Sequence, residues 1–388
     1  MGGAEQSTLD LITRIEEQSL GWYRPWVVLP QEDGPLVDRL RQHDVPISVL
    51  PMPKGVFGMS QSRPVRSLLM GALSWPVART YLAKLHQLVE REAPALVHSN
   101  GIKCHALSGR ISKSVPVLWH LREVLSSGAA RTVLRRIRSR TPVHVIANSY
   151  ATAVAFDTSN ENPDVVHNGI DSEQFIPGRD PMFRERFGVG LDVPIIGIVG
   201  VLQRGKGIFE FIDMVALLRE DGVDARYVVV GDGIYDTGRD EGIRVELEAR
   251  VEALGLEGVV HFVGFQSDTV RVMQGLDMLV SASTQPESFG RVVVEAMACG
   301  VPVAASALGG VLEIVEDRTN GRLFPPGDAS AMARAVRSLL GDDELRKSCV
   351  ANGRHRVAQR FSIRSYVAGV VRTYDRLLGV GHGALAVR

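Results

Sequence analysis

The sequence is poor in cysteine and in aromatic residues, and it carries no excess of charge. Three cysteines, Cys104, Cys299 and Cys349, among 388 residues cannot form a disulfide framework, and no pair has metal-ligand spacing. A reducing cytosol is the simplest setting for them. Lys plus Arg and Asp plus Glu both number 44, so the overall charge recommends no polyanionic partner. No apolar run approaches the ~20 residues of a membrane-spanning helix, and the longest, Val193 to Leu202, reads as a buried strand. The N-terminus lacks an apolar signal segment, and Gln6 breaks the myristoylation pattern. What remains is ordinary globular composition, 45% hydrophobic and 23% charged. At ~150 residues per domain the length implies two or three domains.

Short β-branched runs alternate with amphipathic helical stretches. In the first half the strand candidates are Pro25–Leu29, Pro46–Leu50, Ala95–His98, Val115–Trp119, Val143–Ala147 and Val165–His167. In the second half they are Pro194–Val201, Arg226–Val230, Val259–Val263, Met278–Ser281 and Pro302–Ala305. Such alternation predicts parallel sheets with helices on both faces, hence an α/β protein of two doubly wound, Rossmann-like domains facing a cleft. The expected division is 1–170, 171–360 and a last helical segment, 361–388, returning to the first domain, with a hinge at Asn168–Pro177.

The richest segment runs from Pro286 through Glu287, Phe289, Gly290 and Glu295 to Val303. It starts as a loop, becomes a helix and stops at Gly300. A helix N-terminus at Phe289-Gly290 suits a diphosphate. Glu287 and Glu295, two turns apart, could hold sugar hydroxyls on either side of it. The bland alternative is a helix cap with one surface glutamate. A second strand-to-helix turn, Gly200 to Gly207, offers Lys206 as a phosphate cation. Gly231-Asp232-Gly233 is an incomplete dinucleotide fingerprint, because position 236 is Asp, and receives no site role.

Glu-x7-Glu with an internal Phe-Gly, followed by Glu-Ala-Met-Ala-x-Gly-Val-Pro-Val, resembles the signature of retaining glycosyltransferases of family 4, which have the GT-B fold. Gly309-Gly310-Val311-Leu312-Glu313, Asn320 to Asp328, Val166 to Asp171 and Val263-Gly264-Phe265 resemble further family segments, over roughly residues 165–360. The resemblance implies transfer of a sugar from a nucleoside-diphosphate sugar, with no metal and no cofactor beyond that substrate. It assigns the donor to Lys206, Glu287, Phe289, Gly290, Glu295 and Gly264, with Arg204 standing in for a family arginine whose place is taken by Val201. Glu287, Lys206 and His120 become the residues at the reacting centre. Asn100 and Arg122 fall on the acceptor side, with Arg122 a candidate for a phosphate or acidic group. Gly2 and Gly3 resemble the family's Gly-Gly-x-Glu loop. That loop follows a first central strand, which is missing here, so the expectation is a gap in the N-terminal sheet and a frayed start. The acceptor is unidentified, with polysaccharide or glycolipid assembly as the setting.

Charge is uneven along the chain. Residues 51–150 hold 15 Lys and Arg against Glu90, Glu92 and Glu123. Arg131 to Arg140 reads as a basic amphipathic helix with an apolar stripe of Val133, Leu134 and Ile137, and Val56 to Val77 adds Arg63 and Arg66. Peripheral contact with an anionic membrane is therefore expected of a cytoplasmic protein at the inner face, against the alternative of a solvated face. Nucleic acid is not, because no aromatics interleave the basic run. Two other readings stay open on residues alone: a two-domain solute-binding protein, and a nucleotide-sugar epimerase or phosphorylase on the same fold.

Overall fold

The computed structural model describes residues 2–52, 75–111, 115–125, 128–157, 163–188, 193–233 and 242–381. Arg63, Arg66 and Asp236 lie outside them. The chain divides into two compact units, Met1–Gly169 together with Ile363–Arg388, and Ile170–Ser362.

In the first unit, β1 (Val27–Leu29) pairs in parallel with β2 (Ile47–Val49). A separate parallel sheet runs β3 (Val97–Asn100), β4 (Val117–Leu121), β5 (Val143–Ala147) and β6 (Asp164–Val165). The two sheets share no ladder among the described residues. The start differs from the reading above. Gly2 and Gly3 form no strand-end loop: a helix spans Gly3–Gln18, and the Gly2 N–H donates to the Glu5 carboxylate at 2.8 Å. Leu11 and Ile15 of that helix pack with Leu118, Ile146 and the C-terminal helix Ile363–Leu378.

The basic helix spans Ala129–Arg138, but its apolar stripe is core: Leu134 and Ile137 are buried, and only Val133 is exposed. Its arginines are used internally as well. Arg131 donates to the Phe156 carbonyl, and Arg135 and Arg138 pair with Asp157. Arg131 thereby satisfies a carbonyl at the end of the helix Tyr150–Phe156.

A polar network is buried in the same unit. Arg122, only 6% exposed, donates through Nε to Asn100, through Nη1 to Asn168 and through Nη2 to His120 Nδ1 and the Tyr366 hydroxyl. Tyr366 in turn donates to the Ser7 carbonyl. His98 stacks on His120 with ring centroids 5.3 Å apart, and its Nδ1 bonds the Tyr374 hydroxyl. His105 bonds Ser99.

The second unit carries one six-stranded parallel sheet. Its strands are β7 (Ile195–Val199), β8 (Arg226–Val230), β9 (Val260–Gly264), β10 (Met278–Ser281), β11 (Val303–Ser306) and β12 (Arg322–Phe324), in the order β12-β11-β10-β7-β8-β9. Strands covered on both faces read as near-continuous apolar runs. β7 is one, and β10 and β11 are apolar up to a terminal serine. Two apolar clusters, around Phe211 and Tyr227 and around Phe289 and Met297, fill the space between sheet and helices. Asp180, Asp268, Asp328 and Asp342 each cap a helix by accepting a backbone N–H.

The buried histidines make the first unit acid-sensitive. Burial first, and the Arg122 cation second, push His98 and His105 down to about 3 and hold His120 well below its usual range. Each is neutral when folded, while the unfolded chain takes up protons as pH falls through about 6.5. Their stabilising contribution is therefore complete above that pH and is lost as pH falls below it, for His98 and His105 progressively toward about 3 and by about 2 kcal/mol each between pH 7 and 5. Urea unfolding followed by circular dichroism should show a lower midpoint at pH 5 than at pH 7, and His105→Asn should flatten the difference. Equal midpoints in the unaltered chain would contradict this assignment.

Candidate functional site

In a parallel α/β sheet, ligands collect beyond the C-terminal strand ends where strand order reverses. In the second unit that point lies between β7, which continues to β8 and β9, and β10, which continues to β11 and β12. A pocket opens there, lined by Gly200, Lys206, Ser281, Ser283, Glu287 and Val292 among others.

Glycines draw the lining loops together. Gly231 lies so close to the turn after β7 that a Cβ would sit 1.8 Å from the Gly200 carbonyl oxygen. Only a glycine allows that approach. The turn then tightens at Arg204–Lys206, and Gly207 takes φ 72°. A Cβ on Gly207 would lie 1.9 Å from the Ala282 oxygen. This approach to the end of β10 sets Lys206 beside Glu287, with Nζ and Oε1 2.8 Å apart. The Ser283 hydroxyl donates to the same oxygen. Burial alone would raise the Glu287 carboxyl, but the Lys206 charge and the two hydrogen bonds outweigh it and hold the carboxyl below its usual range. The site therefore carries an ion pair at working pH.

The loop after Glu287 is fixed from two sides. Phe289 is buried, with its ring edge-on to Phe361 at 5.6 Å. Gly310 donates its N–H to the Glu287 carbonyl at 2.8 Å. A Cβ on Gly309 would lie 2.5 Å from the Glu287 oxygen, and one on Gly310 2.6 Å from the Ser288 oxygen. Gly290, at φ 100°, opens the helix Arg291–Ala298. Glu295 accepts from Arg291 Nε at 2.7 Å, and both side chains are largely buried.

The structure thus brings Lys206 and Glu287 together and puts Phe289, Gly290 and Glu295 on the loop and helix that follow. Gly264 ends β9, where its carbonyl accepts from the Gly231 N–H. Arg204 does not join Lys206: it pairs with Glu246 at 2.6 Å and lies over the Phe209 ring. No local pattern in the sequence announces that partner. In the first unit His120 lies inside β4 and is fully buried, with Nε2 unbonded. Asn100 ends β3 and holds Arg122. Arg122 is held from four sides, by Asn100, Asn168, His120 and Tyr366. Sequence reasoning missed Ser283 and Arg291. The i, i+4 spacing of Arg291 and Glu295 was a usable signal, whereas Ser283 had none.

Because the 309–310 turn presses on the backbone of the Glu287 loop, Gly310→Ala should cost about 1–3 kcal/mol by overpacking. Thermal melting should show the loss, and a melt equal to that of the unaltered chain would remove the turn from its supporting role.

Comparison with known proteins agrees with this geometry. Residues 181–356 match the family model described as Glycosyl transferases group 1, and residues 1–174 match Glycosyltransferase Family 4. A D-inositol 3-phosphate glycosyltransferase of Corynebacterium urealyticum is 30% identical over 313 residues, covering 73% of this chain and 71% of that protein. An alpha-D-kanosaminyltransferase of Streptomyces kanamyceticus is 27% identical, covering 86% of this chain and 89% of the relative. With other curated relatives the match spans about half their length, as with 55% of a 2-deoxystreptamine glucosyltransferase of the same organism. Among solved structures, HepE of Anabaena in complex with UDP-glucose superposes with a TM-score of 0.81 at 27% identity, covering 97% of this chain and 96% of that one. The ion pair at the switch point of a six-stranded parallel sheet, the Glu-x7-Glu helix and these matches together make the chain a member of the group 1, family 4-type glycosyltransferases of the GT-B fold.

Proposed function

We propose that the chain transfers a glycosyl group from a nucleoside-diphosphate sugar to an acceptor hydroxyl, with retention of configuration at the anomeric carbon. The observation that carries this reading is the Lys206–Glu287 pair at the strand switch point, where a cation and a carboxylate stand side by side. Lys206 neutralises the diphosphate as it departs. Glu287 holds donor-sugar hydroxyls, Glu295 the nucleotide ribose, and the backbone at Phe289-Gly290 the phosphate oxygens. Charge that grows in the transition state meets a cation already in place, which lowers the barrier directly. The resemblance to retaining members of the family implies that the acceptor attacks on the face the nucleotide leaves.

Support for a uridine nucleotide comes from HepE, solved with UDP and with UDP-glucose. The acceptor belongs to the first unit, on the side where β3 ends at Asn100. Polysaccharide or glycolipid assembly in the cytoplasm is the proposed setting. Any contact with an anionic membrane falls to Arg136, Arg140 and Val133 rather than to the whole basic helix.

Thermal melting with UDP, GDP and ADP should single out one nucleotide, with a shift equivalent to ~2.7 kcal/mol at a hundred times its Kd. Lys206→Ala should abolish that shift and cost ~3 kcal/mol in activation free energy, mostly in kcat. No shift with any nucleotide, or a near-normal rate in the variant, would refute the reading.

A further inference from the structure

We propose that Glu287 is an internal competitor for Lys206, and that this competition lets the site discriminate a sugar-bearing donor from the bare nucleoside diphosphate that remains after transfer. The inference rests on the donor reading above. Without ligand, the ammonium that is to meet the diphosphate is held 2.8 Å from a carboxylate oxygen that also receives the Ser283 hydroxyl. The Glu287 side chain is 15% exposed and that of Lys206 34%, so solvent screens the pair only in part. An incoming diphosphate must share Lys206 with this carboxylate or displace it. A donor carrying its sugar compensates, because its hydroxyls give Glu287 new hydrogen-bond donors. A bare nucleoside diphosphate brings no such donors and must take Lys206 from the carboxylate with nothing offered in return. The site thus grips the substrate and loosens on the product, which favours turnover.

The test is calorimetric titration of the unaltered chain, Glu287→Gln, Lys206→Ala and the double variant with UDP, GDP and ADP. Glutamine keeps the side-chain shape and one carbonyl oxygen but removes the charge. Glu287→Gln should tighten the best-binding diphosphate by about fivefold, the worth of one partly screened ion pair, while sugar transfer falls. In the Lys206→Ala background the same change should bring no gain, since the contested cation is gone. Glu287→Asp, with its carboxylate drawn back by one methylene, should give a smaller gain and serves if the glutamine variant melts early. Unchanged or weaker binding by Glu287→Gln overturns the inference. So does an equal gain in both backgrounds, which would mean plain repulsion between Glu287 and the phosphate. If no diphosphate binds the unaltered chain, or Lys206→Ala leaves binding intact, the donor reading itself fails and this inference with it.

Discussion

One ion pair organises the second unit. Lys206 and Glu287 stand 81 residues apart in sequence and 2.8 Å apart in space, and much around them exists to bring them there. The turn that carries Lys206 can reach the end of β10 only because Gly207 has no side chain. The loop that carries Glu287 is held by the Gly309-Gly310 turn beneath it and by Phe289 set against Phe361. A pair placed this way does little for stability, because a partly exposed ion pair is worth about 1 kcal/mol at most. Its position at the strand switch point, with a third group on the same carboxylate oxygen, is what the proposed donor site rests on.

The first unit solves a different problem. Its polar residues face inward, and a guanidinium joins strand ends to the C-terminal helix through four neutral partners. That network links Asn100, His120, Asn168 and Tyr366 into one body. The histidines inside it stay neutral because burial and the Arg122 charge both oppose protonation. Arg122 therefore ties the strands of this unit to its C-terminal helix.

The sheets were legible in the sequence where strands are buried on both faces. The run Ile195–Val199 and the run Arg226–Val230 are nearly continuous apolar stretches, and both lie close to where that pattern puts them. The strand Arg322–Phe324 was not seen, because it is a short edge strand that begins with a charge. Helices of about two turns, such as Ile102–Ser108 and Thr269–Gly275, offer too few positions for a 3.6-residue period to emerge. At the site, Lys206 and Glu287 were readable from motifs. Partners supplied from far along the chain were not: Tyr366 reaches Arg122 across 244 residues, and Glu246 takes Arg204 across 42. Tertiary contacts of that kind leave no local trace.

The most direct test of the donor site is a crystal structure of the chain soaked with UDP-glucose. The account predicts a diphosphate within hydrogen-bond reach of Lys206 Nζ, and glucose hydroxyls on the Glu287 carboxylate. A nucleotide bound elsewhere, with the Lys206–Glu287 pair undisturbed, would contradict it.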